Sequence, residues 1–432
     1  MFGKEPLSLN QQFKDTLDLL EKESGHFFIT GKAGTGKSTL LSLFRSTTKK
    51  RVAVLAPTGI AALNVKGQTI HSFFRFPPRM INASDIGKTK FHKLYKNLDA
   101  IIIDEISMVR ADVIDNIDIF LQRNRDNKAP FGGVQMIFFG DMFQLPPVVS
   151  SPFEKNYFRE VYTSAYFFAA KALEHVDLMV CELHQIFRQS EMRFIRLLEA
   201  IRNNDIDQDT LDEINSRFQP IPEHLKYYIT LCSTNIGADT INRTELAKLQ
   251  ANEKTFQAKI SGEFTAQYYP TDPLLNLKSG AQVMFVKNDT EKRYVNGTIG
   301  QILEVKPDSV TVSILDEHDE EKIIEIEDEE WKIIRYVRNE ENPGHIQTEV
   351  AGIFRQLPIK LAWAITIHKS QGKTFERVII DMGRGAFEFG QTYVALSRCK
   401  TLEGIFLKRP LSPRDIICDG IVQEYYERIK RF

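Results

Sequence analysis

Cysteine is scarce in this chain of 432 residues: four, Cys181, Cys232, Cys399 and Cys418, with no C-x-x-C pair among them. That scatter argues against a zinc or redox motif, and it suits reduced thiols in a cytosolic protein. No apolar run reaches the roughly 18 residues needed to span a membrane. No basic-then-apolar leader opens the chain, so the expectation is a soluble cytoplasmic protein, nucleoid-associated if bacterial, with no membrane partner. Net charge is almost absent too, −1 from 56 basic and 57 acidic side chains. No global basic field announces nucleic acid, and any such surface has to be local. Internal repeats and low-complexity linkers are missing. What remains, 42% hydrophobic and 26% charged, is globular material for roughly two to four domains.

The most informative stretch is residues 26–39, HFFITGKAGTGKST. An apolar strand-like run breaks at Gly31 into G-K-A-G-T-G-K-S, and a helix-like TLLSLFR follows. Glycines let the loop turn its N–H groups inward around phosphates, and the opening helix adds its positive end. The loop residues Gly34, Thr35, Gly36, Lys37, Ser38 and Thr39 are therefore the candidate ATP cradle. Lys37 reaches the β/γ phosphates and Ser38 is left to ligate Mg2+.

Around this loop the chain alternates apolar strands with helices, the pattern of a parallel α/β sheet. Residues 7–23 place Leu9, Phe13, Leu17 and Leu20 on one helix face. Strands are expected at Val52–Ala56, Ala100–Ile103 and Gln135–Phe139, and a packing helix over 109–121. The segment TIHSFFRFPPR, with its Pro77-Pro78 pair, forbids regular structure and reads as a small insertion. A second α/β set begins near Cys181 and includes 228–232. It is interrupted at about 255–355 by short β-rich runs, read as a small antiparallel barrel, and resumes at 359–366 and 377–381. The acidic segment 316–330 is the solvated face and turn of a hairpin. The expected plan is α/β: a first domain over 1–63 and 86–178, an insertion at 64–85, a second domain over 179–256 and 356–412, a barrel at 257–355 and a C-terminal helix at 413–432.

Asp104 and Glu105 follow the apolar run AIII directly, at the carboxyl end of a buried strand where ligands of open α/β sheets sit. One carboxylate can hold the metal and the other polarise water; Asp104 and Glu105 take those roles respectively. Gln144, in GDMFQLPP after another apolar run, can sense the γ-phosphate or orient water. Arg188 in HQIFRQ and Arg398 in YVALSRCK offer guanidinium groups to a transferring phosphoryl group.

Together GKAGTGKS, APTGIAA, TIHSFF, DEISM, GDMFQLPP, QIFRQ, AITIHKSQGKT and YVALSRC resemble the motifs of superfamily one helicases. More narrowly they are similar to the petite integration frequency (Pif) helicases of the 5′-to-3′ group, relatives of RecD. The resemblance implies two RecA-like domains clamping ATP, a wedge in the first and an SH3-like barrel in the second. It implies an ATP-dependent DNA helicase that translocates on single strands and opens single-strand/duplex junctions, with quadruplexes and RNA–DNA hybrids as further candidate substrates, acting as a monomer when free. By motif it gives Gln11, with Gln12 as a substitute, to adenine, and Gly372 to the γ-phosphate. It gives Thr58, Gly59, His71, Phe73, Thr234, Asn235, Thr366, His368 and Lys369 to DNA. Hydroxyls, amides and backbone N–H groups there suit phosphates, and aromatics suit stacking. Phe73, Phe74 and Phe76 are each open between stacking on bases and forming the wedge's own core.

Overall fold

The computed structural model describes residues 10–77, 79–81, 83–149, 151–221, 226–315, 320–339 and 346–430. The apolar runs become parallel strands buried on both faces, as crossover helices require; every residue of Ala100–Ile103 and Gln135–Phe139 is buried. Six strands form the first sheet, in the order Gln68–Thr69, Val52–Ala56, Ala100–Ile103, Gln135–Phe139, His26–Gly31, Leu178–Leu183. A second parallel sheet sets Ala364–Thr366, Ile229–Cys232, Val378–Asp381 and Ile405–Leu407 side by side. This is the two-domain RecA-like α/β arrangement. Among the described residues no helix is long and apolar enough to cross a membrane.

Three expected boundaries move. Leu178–Leu183 pairs in parallel with His26–Gly31 along its whole length, so the first domain runs past 178 and the second does not begin at 179. The strand Ile359–Leu361 does not belong to the second parallel sheet. It pairs antiparallel with Gln282–Phe285 at the end of a five-stranded sheet containing Ile299–Val305, Ser309–Leu315 and Glu321–Glu327. That insertion also starts earlier than 257, where Lys254–Gln257 pairs with Leu274–Leu277. The C-terminal α-helix is Gly420–Lys430, preceded by a single 3-10 turn at Pro413–Asp415. In the acidic hairpin Ile324 and Ile326 point inward while Glu321, Glu325 and Glu327 stay exposed; its residues 316–319, like Pro78 and Leu9, lie outside the described residues.

The barrel expectation resolves into three sheets, the two-stranded one just described and two larger ones. The five-stranded one has its own core around Val283, Phe285, Val312 and Ile326. Glu329–Arg338, Ile346–Gln356 and Lys259–Gly262 form a three-stranded sheet, whose Trp331, Ile333, Tyr336 and Phe354 share one apolar cluster with the first domain. Polar contacts reinforce that docking. Thr69 Oγ1 and the Tyr268 hydroxyl lie 2.8 Å apart. The register of Gln68–Thr69 covers only Leu55 and Ala56 of its neighbour, and the N–H of Val54 donates instead to the Tyr336 hydroxyl at 3.0 Å.

The wedge aromatics are settled by burial. Phe73, Phe74 and Phe76 are 3%, 1% and 8% exposed; Phe73 meets Tyr95 edge-on at 5.4 Å and Phe74 meets Phe120 at 5.2 Å. Phe73 is therefore core and not a DNA-stacking residue. Spacing alone could not decide this, because two of the rings that bury it come from the distant residues Tyr95 and Tyr336. Phe73→Ala is expected to cost about 3 kcal/mol in urea unfolding. Unchanged stability with weakened DNA binding would restore the stacking role.

Candidate nucleotide and nucleic-acid site

The strand His26–Gly31 delivers the glycine loop to the start of the helix Lys37–Thr47. Gly34 and Gly36 sit at φ 84° and 83°, a region that favours glycine. A Cβ at Gly34 would lie 2.7 Å from Arg188 Cβ, and one at Gly36 would lie 2.8 Å from Phe13 Cζ. The loop is thus pressed on one side by the segment carrying Arg188. Thr35 Oγ1 donates to the carbonyl of Lys32 at 2.9 Å and holds the loop shape. Ser38 and Thr39 are exposed in the first helical turn. Lys37 Nζ donates to the carbonyls of Gly31 and Lys32 at 2.6 and 3.0 Å; burial pulls its pKa down, while Asp141 and Glu105 oppose that.

Asp104 and Glu105 lie at the end of Ala100–Ile103 as expected. Burial, then the charge of Glu105, pushes the Asp104 carboxyl up to about 7, with Lys37 pulling the other way. Glu105 has φ 50° and ψ 45°, a strained position for a non-glycine residue that costs on the order of 1 kcal/mol. Its pKa is raised by burial and held back by Lys37 and Arg398. Two adjacent carboxylates, Asp104 buried and Glu105 half-buried, with incomplete compensation suit a divalent cation, which would relieve their repulsion. Ser38 and Asp104 would hold Mg2+, and the ion would neutralise phosphate charge.

Gln144 is 8% exposed, and its Nε2 donates to Asp141 Oδ2 at 3.4 Å. Arg188 Nη1 donates to the Ser397 carbonyl at 3.0 Å. Arg398 is 2% exposed, with Nε on the Val394 carbonyl and Nη2 on Ser397 Oγ, both at 3.0 Å. Burial first, then the neighbouring Arg188, pulls its pKa down to about 9, with Glu105 opposing. The five catalytic candidates are therefore gathered at one junction of the two domains.

Sequence reasoning missed four residues that build this junction. Tyr393, from the second domain, accepts the Ala33 N–H at 2.8 Å and donates to Asp141 Oδ2 at 3.2 Å, joining loop and sheet of the first domain. Asp141 also takes an ion pair from Arg202 at 3.0 Å, with side chains 0% and 2% exposed. Burial raises the Asp141 pKa, yet Arg202 and Lys37 more than offset it and leave it lowered. The Arg202 guanidinium stacks over Phe143 at 3.9 Å and Tyr426 at 5.0 Å. Gln189 Nε2 reaches the carbonyls of Ser397 and Cys399 at 3.2 and 2.9 Å. Asp141, Gln189 and Tyr393 stood inside or beside recognised motifs; Arg202, in the last turn of Met192–Asn203, carried no signal.

The adenine candidates part company. Gln12 is occupied on both sides, donating to the Glu182 carbonyl at 2.7 Å and accepting the His184 N–H at 3.2 Å. Gln11 is exposed and donates to Asp15 Oδ1 at 2.7 Å. Gly372 has φ 73° with open space where a Cβ would point.

The DNA candidates fall at matching places on the two sheets. Thr58 follows Val52–Ala56 and accepts the Ala61 N–H at 3.3 Å; Thr234 follows Ile229–Cys232 and accepts the Gly237 N–H at 3.2 Å. Thr366, buried, accepts the Lys369 N–H at 3.3 Å. Asn235 and Lys369 are exposed. His368 Nε2 lies 2.7 Å from a Glu388 carboxylate oxygen. His71 is half-buried, and burial followed by Arg110 lowers its pKa. Gly59 is covered by the insertion, since a Cβ there would meet the Gln267 carbonyl at 2.5 Å.

Comparison with known proteins agrees with this geometry. The PIF1-like helicase family model matches residues 8–212. The ATP-dependent DNA helicase Pif1 of Bdellovibrio bacteriovorus is 30% identical over 98% of this chain and 93% of that protein. The Homo sapiens helicase PIF1 is 31% identical over 94% of this chain and 61% of its own length. The chain spans 63% of the Emericella nidulans relative and 59% of the Saccharomyces cerevisiae one. Among solved structures, Bacteroides sp Pif1 with ADP-AlF4 superposes with a TM-score of 0.90 at 34% identity, covering 99% of this chain and 98% of that one. The ssDNA-bound Bacteroides Pif1 gives 0.71 at 36% identity, with the same coverage of both chains. A loop, a carboxylate pair and two arginines converge across two RecA-like sheets, and relatives match this chain nearly end to end: it belongs to the PIF1-like helicase family.

Proposed function

We propose that this chain is an ATP-dependent, Mg2+-requiring DNA helicase that moves 5′-to-3′ on a single strand and opens duplex at a junction. The observation that carries it is Tyr393, a second-domain side chain bonded at once to the phosphate loop and to Asp141. Whatever occupies the loop thus bears on how the domains meet. Lys37, Arg188 and Arg398 hold the charge of the transferring phosphoryl group, Gln144 senses it, and Glu105 takes a proton from water. Thr58 and Gly59 on one sheet, Thr234, Asn235, Thr366, His368 and Lys369 on the other, and His71 in the wedge grip the backbone. Closure and opening then move those grips relative to each other.

The insertion over Gly59 has to shift before a strand can enter. The lower TM-score of the ssDNA-bound Bacteroides structure, 0.71 against 0.90 at similar identity, supports such a rearrangement. Polarity rests on family membership. The test is steady-state ATP hydrolysis with and without oligothymidine, followed by unwinding of duplexes carrying a 5′ or a 3′ tail. Stimulation of at least about tenfold with unwinding from the 5′ tail is expected. No stimulation would favour a nucleotide switch or a partner-dependent subunit. The same unwinding assay with a quadruplex or an RNA–DNA hybrid settles the substrate range, and sedimentation of the free protein its monomeric state.

A further inference from the structure

A cleft of about 1130 Å³ opens between the wedge side of the first domain and the three-stranded sheet. Its charge is at odds with the chain as a whole. Arg75, Lys90 and Lys93 come from one wall, Arg335 from the other, facing two carboxylates among the described residues, Glu263 and Glu349. Both of those are ion-paired with Arg335, which leaves the first-domain wall with three exposed cations. Lys90 and Lys93 form no ion pair among the described residues. Phe91 stands between them, 39% exposed, with the Arg75 guanidinium 4.1 Å from its ring centre. An exposed ring flanked by unpaired cations is the chemistry of a single-strand platform, stacking for a base and charge for the phosphodiester.

Position selects which strand. Arg75 caps the C-terminal end of the wedge helix Ile70–Phe74, so the platform continues from the wedge. Apart from His71 on the wedge helix itself, the residues assigned to the tracked strand sit instead at the carboxyl ends of the two sheets. We infer that this cleft is a second nucleic-acid site, holding the displaced single strand of a fork on Arg75, Lys90, Phe91 and Lys93. The inference rests on the helicase reading above and adds to it the path of the other strand. Glu263 and Glu349 on the opposite wall tune the site against non-specific polyanions.

The test compares a forked duplex bearing two oligothymidine arms with the same duplex bearing only the 5′ arm. The wild-type protein is expected to bind the fork about tenfold more tightly. The R75A/K90A/K93A variant should bind both equally. Its fork-binding slope of log K against log salt should fall by about 2, at about 0.7 per lost phosphate contact. Its oligothymidine-stimulated ATPase should stay at the wild-type level, which also shows that it is folded. E263Q/E349Q should move the other way and tighten fork binding. A wild-type protein without fork preference, or a triple variant that keeps it, overturns the inference. Absent oligothymidine stimulation of the wild type would instead remove the helicase reading itself.

Discussion

Lys37→Ala should lower ATP turnover by at least about 10³-fold while single-strand affinity stays within about threefold. The ammonium is the cation that lowers both carboxyl pKa values at the site. Removing it takes away the charge that meets the β/γ phosphates and, in the same step, pushes Asp104 and Glu105 toward their protonated forms. A protonated Asp104 holds a metal poorly, and a protonated Glu105 cannot accept a proton from water. The two losses act on one transition state, which is why the effect exceeds the 10²–10³ typical of a single electrostatic contact. The residues proposed to bind the strand lie on other loops, so fluorescence anisotropy with labelled oligothymidine should change little. Turnover within about tenfold of wild type would remove the phosphate-loop assignment.

Arg202→Ala should destabilise the fold by about 5 kcal/mol in urea unfolding. The substitution strands the Asp141 carboxylate, which has no exposure and keeps hydrogen bonds only from uncharged groups, with Lys37 acting on it through space. Breaking one side of a buried pair costs about 3–5 kcal/mol. The guanidinium stacked on Phe143 and Tyr426 adds roughly 1 kcal/mol more. Removing both charges in R202M/D141N should recover a large part of that loss, because the cost lies mainly in the orphaned carboxylate. Equal destabilisation of single and double variants would mean that packing, not charge, is what Arg202 supplies.

The chemistry of the nucleotide site was legible because it is local: a loop, a carboxylate pair and two arginine motifs each declare themselves within a few residues. Pairing was not. LMVCEL at 178–183 serves equally well as the last strand of one sheet or the first of another, and its partner His26–Gly31 lies about 150 residues earlier. The run 359–366 looks like one strand, yet the chain turns at Ala362-Trp363 and gives its halves to different sheets. Phe73 was ambiguous for the same reason, as two of its burying rings are distant in sequence. Arg202 was silent because a basic residue in the last turn of a helix usually faces water, and only the fold brings Asp141 to it.

The hydroxyl of Tyr336 on the Val54 N–H has a meaning for the newborn chain. Where Gln68–Thr69 stops short, the upper half of Val52–Ala56 is an open sheet edge, a template for pairing with other molecules. Its guard is made 282 residues later. The first domain is complete only once Leu183 is made, so at about 5–20 residues per second the edge of a freshly folded first domain waits roughly 8 to 30 s for cover. Any excursion of the three-stranded sheet in the mature protein uncovers it again, so the rearrangement proposed for strand entry carries with it a recurring exposure to aggregation.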